Sequence, residues 1–224
     1  MLEKMGEFFD ARLSGYEEHQ LTCIDFAKEF YPYTASCLPQ IAGTRLLDLG
    51  CGTGLELGYY FELVPSAEVT GIDLAPGMLE ALRNKFPDKN MNLILGSYFD
   101  VPFGENSFDA AVSAESLHHF TGDEKIRLYE KLLKALKSGG SFILTDYFAM
   151  SDEEECFRRA ELLRLKKEQN IADDTFYHYD TPLTVEHEIE TLNKAGFSSV
   201  SVLNSWGPTS VLKAIKSCED SYEC

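Results

Sequence analysis

The sequence has no long hydrophobic run: nowhere in its 224 residues does an apolar stretch approach the roughly 20 residues that cross a bilayer. The opening Met1-Leu2-Glu3-Lys4-Met5-Gly6-Glu7 lacks a basic region followed by an apolar core, so it does not read as a secretory signal, and a cytoplasmic protein is expected. Basic residues are few. Twenty lysines and arginines face 37 acids, for a net charge of −17, and such a surface repels phosphates on average. Nucleic acid is therefore not an expected partner. The densest basic groups, Lys131, Lys134 and Lys137, then Arg158, Arg159, Arg164, Lys166 and Lys167, read as solvated helix faces. None of the six cysteines, at 23, 37, 51, 156, 218 and 224, forms a C-x-x-C pair, and no His/Cys group has zinc spacing. No metal is expected, and the thiols read as reduced. Internal repeats and low-complexity linkers are absent, and 44% apolar residues over this length suit one good-sized α/β domain.

What is present centres on Leu46-Leu47-Asp48-Leu49-Gly50-Cys51-Gly52-Thr53-Gly54. A short apolar run ends in an acid and then in three glycines at alternate positions. Leu55-Glu56-Leu57-Gly58-Tyr59-Tyr60-Phe61 follows with helical spacing. This is strand, tight turn and helix, the first unit of an open α/β sheet that binds a nucleotide-like ligand at its strand ends. Glycine permits positive φ there and lets a ligand reach bare backbone. Glu68-Val69-Thr70-Gly71-Ile72-Asp73 reads as a second strand ending in an acid, 23 residues after Gly50, where a carboxylate can accept from both ribose hydroxyls. Dinucleotide-binding turns usually carry a third glycine where this chain has Leu55, which favours a ligand without a pyrophosphate.

The remaining chain divides readily. A helical stretch is expected to about Phe30, broken by Pro32 and Pro39. Pro76 suits the first turn of a helix to about Lys85. Met91–Leu95, Phe108–Ser113 and Ser141–Tyr147 read as strands. Thr121-Gly122-Asp123-Glu124 is a capping box opening a helix to about Lys137, with Gly139 as its terminator, and Ser151-Asp152-Glu153-Glu154 is a second box. Asn170 to Pro182 reads as an inserted loop. Thr184 starts a helix that stops at Gly196. Ser199–Leu203 and Thr209–Ile215 complete the strands, and the tail from Ser217 is expected to fray.

Four of these stretches, in order, resemble class I S-adenosylmethionine-dependent methyltransferases over roughly residues 40–148: the glycine turn, Gly71-Ile72-Asp73-Leu74-Ala75-Pro76-Gly77-Met78-Leu79, Phe108 to His119, and Leu133 to Phe142. The resemblance implies a single Rossmann-like α/β domain with a seven-stranded, mostly parallel sheet of order 3-2-1-4-5-7-6, the last strand antiparallel, and helices on both faces. It implies residues 1–40 as a helical lid, 41–216 as the cofactor-binding domain with 168–183 inserted near the active site, and 217–224 as a tail. S-adenosylmethionine is the implied cofactor, leaving S-adenosylhomocysteine. Asp48 would orient its amino group, Gly50, Cys51, Gly52 and Gly54 would give backbone contact, and Asp73 would hold the ribose. Leu74 and Met78 would lie near the adenine, Ser97 and Tyr98 would meet its amino edge, and Ser113 and Ala114 would border the methionine part. Many family members carry an acid where Ser97 stands. Tyr16 from the lid would meet the methionine carboxylate, with Arg12 nearby.

The implied activity is methyl transfer to a small-molecule acceptor by in-line displacement. Candidate catalytic residues are His118, His119 and Glu115; histidine titrates near neutrality and can take a proton. Arg12, Tyr147, Tyr177, His178, Tyr179 and Trp206 are candidates for the acceptor pocket, where aromatic faces would suit a sulfonium. Alternatives are an enzyme like carboxy-S-adenosylmethionine synthase, serving tRNA modification, and a non-catalytic cofactor-binding protein. A homodimer is one open option for the assembly.

Overall fold

The structure, a computed structural model, describes residues 1–172 and 175–218. Two residues of the expected inserted loop and the end of the expected tail, 219–224, lie outside the described residues. The chain begins with three helices: α1 (Met5–Arg12), α2 (Tyr16–Cys23) and α3 (Ala27–Cys37). It then alternates through β1 (Arg45–Leu49), α4 (Leu55–Leu63), β2 (Glu68–Asp73), α5 (Pro76–Lys85), β3 (Asn90–Leu95) and β4 (Phe108–Ala114). The second half runs α6 (Gly122–Ala135), β5 (Leu136–Tyr147), α7 (Asp152–Glu168), α8 (Val185–Lys194), β6 (Ser199–Trp206) and β7 (Thr209–Ile215).

The seven strands form one sheet of order β3-β2-β1-β4-β5-β7-β6, as the resemblance implies. All neighbours pair in parallel except β7, which runs antiparallel to both β5 and β6. The order reverses between β1 and β4, and that reversal opens a crevice beyond the carboxyl ends of these strands. Register places Leu49 of β1 beside Ile72 of β2, and Asp48 beside Val112 of β4, so the glycine turn, Asp73 and the end of β4 meet at one edge.

Alternating side chains of β1 feed two cores. Leu47 and Leu49 join Phe142, Leu144, Leu128, Leu132 and Leu192 on the face covered by α6 and α8. Leu46 joins Val69, Val112, Leu57, Tyr60, Phe61 and Leu82 on the face covered by α3, α4 and α5. Both faces are covered, which is why the central strands read as continuous apolar runs rather than alternating ones. No helix among the described residues is long and apolar enough to cross a membrane.

Several local expectations are corrected. The N-terminal stretch is three helices, divided at Gly15 (φ 88°) and Phe26 (φ 62°), and Pro32 lies inside α3 rather than ending a helix. The Lys28 carbonyl that Pro32 leaves without a donor belongs to an exposed residue, where water can serve it. Helix α6 stops at Ala135, and Gly139 (φ 72°) is not its terminator: it lies in β5, where the register against β4 shifts between Phe108 and Ala110. The box at Thr121 is complete, its N–H donating to Glu124 at 2.8 Å. The second is half a box. Ser151 Oγ accepts from the Glu154 N–H, but the Glu154 carboxylate accepts from the Met150 N–H and the Tyr147 hydroxyl. Basic side chains are largely spent on neighbours: Lys131 Nζ donates to the carbonyls of Tyr98, Phe99 and Val101, Lys137 pairs with Asp109, and Arg164 pairs with Glu161 and Glu168.

Candidate cofactor groove and adjoining cavity

The turn after β1 takes left-handed backbone at Gly50 (φ 76°), Gly52 (φ 48°) and Gly54 (φ 71°), a conformation that side chains disfavour. Asp73, at the end of β2, fastens it. Its Oδ2 accepts from the Gly52 N–H at 2.9 Å and its Oδ1 from the Ala75 N–H at 2.8 Å. The three glycines have different surroundings. A Cβ on Gly54 would lie 2.5 Å from Leu82 Cδ1, and one on Gly50 would lie 2.2 Å from Ser116 Oγ. A Cβ on Gly52 would enter open space, its nearest neighbours Gly50 O and Tyr16 Oη at 4.0 Å. That space is a narrow groove lined by Met5, Phe9, Tyr16, Gly50, Gly52, Asp73, Leu74, Met78, Tyr98, Ala114, Glu115 and Ser116.

Asp48 lies beneath the turn with 0% exposure, and neither of its carboxylate oxygens finds a donor among the described residues. Its polar neighbour is another buried acid, Glu56. Burial pushes the Asp48 carboxyl well above the usual carboxylate range, and the adjacent Glu56 pushes it the same way. Two buried acids without a cation make a place that a ligand's ammonium group satisfies. Open space over Gly52, a carboxylate at the end of β2 and a buried acid pair in which Asp48 lacks a donor together fit an amino-acid-bearing nucleoside such as S-adenosylmethionine.

A larger cavity of about 800 Å³ opens beside the groove. Phe9, Tyr16 and Glu115 line both spaces, so the two adjoin. Its further wall includes Arg12, His118, His119, Tyr147, His178 and Asp180. Glu115 has left-handed backbone (φ 52°), rare for a non-glycine residue, and its N–H donates to Thr145 O at 2.8 Å. Burial, reinforced by Asp146, pushes its carboxyl up to about 8. His118 Nδ1 lies 2.5 Å from Asp146 Oδ1, and the same carboxylate accepts the Leu117 N–H through Oδ2 at 2.9 Å. Burial alone would lower His118, but Asp146 outweighs it and raises the imidazole to about 9. His119 is lowered to about 4 by burial and by the neighbouring His118 charge. Asp180 is pulled below the usual range because its interactions with His119 and His118 outweigh the opposing effect of burial.

Of the expected cofactor residues, Tyr16, Gly50, Gly52, Asp73, Leu74, Met78, Tyr98 and Ala114 line the groove. Five do not. Asp48 lies underneath, Cys51 is buried against Gly71, and Gly54 is packed on Leu82. Ser113 Oγ donates to Leu49 O, and Ser97 Oγ accepts from the Phe99 N–H, so both hydroxyls are engaged in local structure. The cavity brings together the expected pocket residues Arg12, Tyr147 and His178 with the expected catalytic candidates His118, His119 and Glu115. Trp206 is not: it packs edge-on against Tyr33 at 5.3 Å, on the α3 side of the sheet. Nor do Tyr177 and Tyr179 line the cavity. Tyr177 pairs through its backbone with Lys4, and Tyr179 lends its carbonyl to His119 Nδ1 at 3.3 Å. The sequence reading missed Met5, Phe9, Ser116, Glu56, Asp146 and Asp180. Asp146 alone carried a usable signal, an acid closing a strand at the ligand-binding edge.

The fold and this groove define a Rossmann-like domain of nucleoside-binding type. Residues 47–144 match the family described as "Methyltransferase domain". A demethylmenaquinone methyltransferase of Symbiobacterium thermophilum is 34% identical over 106 residues, covering 45% of this chain and 41% of that protein. The biotin biosynthesis bifunctional protein BioHC of Teredinibacter turnerae is 29% identical over 167 residues, covering 70% of this chain and 27% of that one. The chain thus spans less than half the length of both curated relatives. A crystal structure of an S-adenosylmethionine-dependent methyltransferase from Mesorhizobium loti shares the fold, with a TM-score of 0.62, 21% identity, and coverage of 82% of this chain and 96% of that one. Residues 47–144 thus match a methyltransferase domain, and the fold around them is one shared with S-adenosylmethionine-dependent methyltransferases.

Proposed function

We propose that the chain transfers a methyl group from S-adenosylmethionine to a small-molecule acceptor seated in the 800 Å³ cavity. The observation that carries this is the adjacency of the two spaces: Glu115, Phe9 and Tyr16 belong to both walls, so an acceptor in the cavity lies about one side chain away from the groove. The cofactor, when bound, supplies a methyl group on a positively charged sulfur. The protein's part is to align, to exclude water and to receive a proton where the acceptor carries one. Alignment of this kind can contribute about 7–11 kcal/mol to a barrier.

Asp73 holds the ribose while fastening the turn, and the Asp48–Glu56 pair meets the ammonium group, directly or through water. Gly52 admits the ligand to the backbone. Glu115 stands at the junction, where its ionised form, filled increasingly as pH rises toward about 8, is placed to receive the acceptor's proton. His118, its ring fixed by Asp146, and the rings of Phe8, Tyr147 and His178 position the acceptor. Residues 1–40 act as the lid over the domain of residues 41–216. Supporting this, Asp10 Oδ1 accepts from the Gly77 N–H at 2.9 Å, Lys85 pairs with Glu17, and Phe8 stacks on His178 at 3.5 Å.

The test has two stages. Calorimetric titration should show S-adenosylmethionine and S-adenosylhomocysteine binding and NAD not binding; tight NAD binding alone overturns the reading. A metabolite screen read by S-adenosylhomocysteine release then identifies the acceptor.

A further inference from the structure

The cavity wall carries a cluster that methyl transfer by itself does not call for. His118, His119 and Asp180 present donor atoms that all lie within 4.8 Å of one another, and Glu115, His118 and Asp146 form a second, overlapping group. Asp180 Oδ1 lies 3.1 Å from His119 Nδ1 and 3.6 Å from His118 Nε2. Two bonds of about 2.0–2.2 Å from one ion to nitrogen or oxygen donors separate the donors by roughly 3–3.6 Å. The two separations to Asp180 match that range and the third lies within 4.8 Å, so binding asks only that His119 Nδ1 exchange the Tyr179 carbonyl, 3.3 Å away, for the ion.

We propose that His118, His119 and Asp180 bind one divalent first-row transition-metal ion on the cavity wall. Three observations support it besides the spacing. First, the ring of His118 is oriented as metal-bound histidines usually are. Its Nδ1 faces the Asp146 carboxylate, which leaves Nε2 to face Asp180. Second, Asp180 Oδ1 and Glu115 Oε1 are buried and lack a well-formed hydrogen bond. Third, the acids outnumber the available cations. Among the described residues, none of Asp146, Asp180 and Glu115 pairs with a lysine or arginine; Arg12 is committed to Glu3 and Arg158 to Glu154.

Two imidazoles and a carboxylate on one side of an ion suit zinc, iron(II), cobalt(II) or manganese(II) rather than calcium or magnesium, which prefer oxygen donors. The set is also open. All three side chains come from the wall, so the remaining positions face the cavity, where an oxygen or nitrogen of a bound small molecule can enter. Glu115 is then within reach of a molecule held there.

The full chain, freed of metal with a chelator and exchanged into clean buffer, is titrated with Zn(II) by calorimetry and with Co(II) by visible absorption. One equivalent should bind, with a Co(II) d–d band and no near-ultraviolet thiolate band. Asp180→Asn and His119→Gln should each weaken binding by more than about tenfold. His187→Gln should not, although that half-buried histidine sits 2.8 Å from Glu155 and offers an alternative outside the cavity. Circular dichroism in chelator establishes that the variants fold, and either ligand variant alone suffices to decide. No binding below millimolar metal, a thiolate band, or affinity unchanged in a folded ligand variant overturns the proposal. S-adenosylhomocysteine binding, measured on the same metal-free protein, reports separately on the methyltransferase reading, so the two can fail independently.

Discussion

Removing the Asp73 carboxylate should produce two separable losses. In the structure it accepts two backbone N–H groups, from Gly52 and Ala75, at 2.9 and 2.8 Å. Hydrogen bonds to a charged group contribute about 1.5–3 kcal/mol each, and water recovers part of that where the donors become accessible. Asp73→Ala should therefore cost about 2–4 kcal/mol of stability, a fall of roughly 5–15 °C in Tm for a chain of this size. If the same carboxylate also accepts from the ribose, S-adenosylhomocysteine affinity should fall by a further 1–3 kcal/mol, about 5- to 150-fold. Asp73→Asn keeps one acceptor oxygen and turns an N–H toward a former donor, so both losses should be intermediate. Urea unfolding and calorimetric titration of the two variants separate the effects. Destabilisation with unchanged affinity in folded Asp73→Asn would show that Asp73 is only a fastener for the turn, and the ribose role would fall.

Three further outcomes are expected. Gly52→Ala and Gly54→Ala both place a side chain in left-handed backbone, at about 1–2 kcal/mol, but only Gly54→Ala also overfills a packed site against Leu82, adding about 1–3 kcal/mol. Gly54→Ala should thus lose mainly stability and Gly52→Ala mainly cofactor affinity; the reverse pattern would misplace the groove. The Asp48–Glu56 pair makes affinity pH-dependent. Both carboxyls are raised, so below their pKa a proton must leave before an ammonium group can bind, and S-adenosylhomocysteine affinity should fall as pH is lowered, starting above the usual carboxylate range. In Glu56→Gln that fall should begin at lower pH, and superimposable profiles would remove the pair from the site. Finally, Lys125 (1% exposed) pairs with Glu188 (0% exposed) at 2.5 Å, and Tyr129 also donates to Glu188. Lys125→Met should cost about 3–5 kcal/mol, and Lys125→Met with Glu188→Leu should recover most of it, as urea unfolding would show.

The glycine turn and its partner Asp73 were legible because each is written locally, whereas the strand order and the other groove residues came from the resemblance. Three glycines within five residues can only be a bend, and Asp73 follows at the distance one helix and one strand require. Asp180 was not legible, because nothing near it in sequence marks a ligand; it meets His118 and His119 only when the chain after α7 folds back across the strand ends. The same is true of metal spacing. A rule that looks for donors a few residues apart sees 118 and 119 and cannot see 180. Ser97 and Ser113 misled in the opposite way. Their positions suggest cofactor contacts, but both hydroxyls satisfy nearby backbone groups, a competition that small polar side chains commonly resolve in favour of local structure. Trp206 misled because a lone large aromatic near a strand end suits a pocket wall and a sheet-to-helix contact equally well; here Tyr33 decides it.

Asp146 is where the groove and the cavity become one device. One of its oxygens accepts the Leu117 N–H and the other holds the His118 ring, so a single carboxylate fixes both the path of the chain after β4 and the direction of an imidazole. That path begins with the left-handed Glu115, whose conformation costs of order 1–3 kcal/mol and persists only because its surroundings over-determine it. The Glu115 N–H bond to Thr145 and the Asp146 bonds all come from the end of β5, the neighbouring strand. The strain therefore does work: it turns Glu115 toward the groove while the next residues carry His118 and His119 along the cavity. A relaxed backbone at Glu115 would lose the Thr145 bond and the place of this acid beside His118 on the cavity wall.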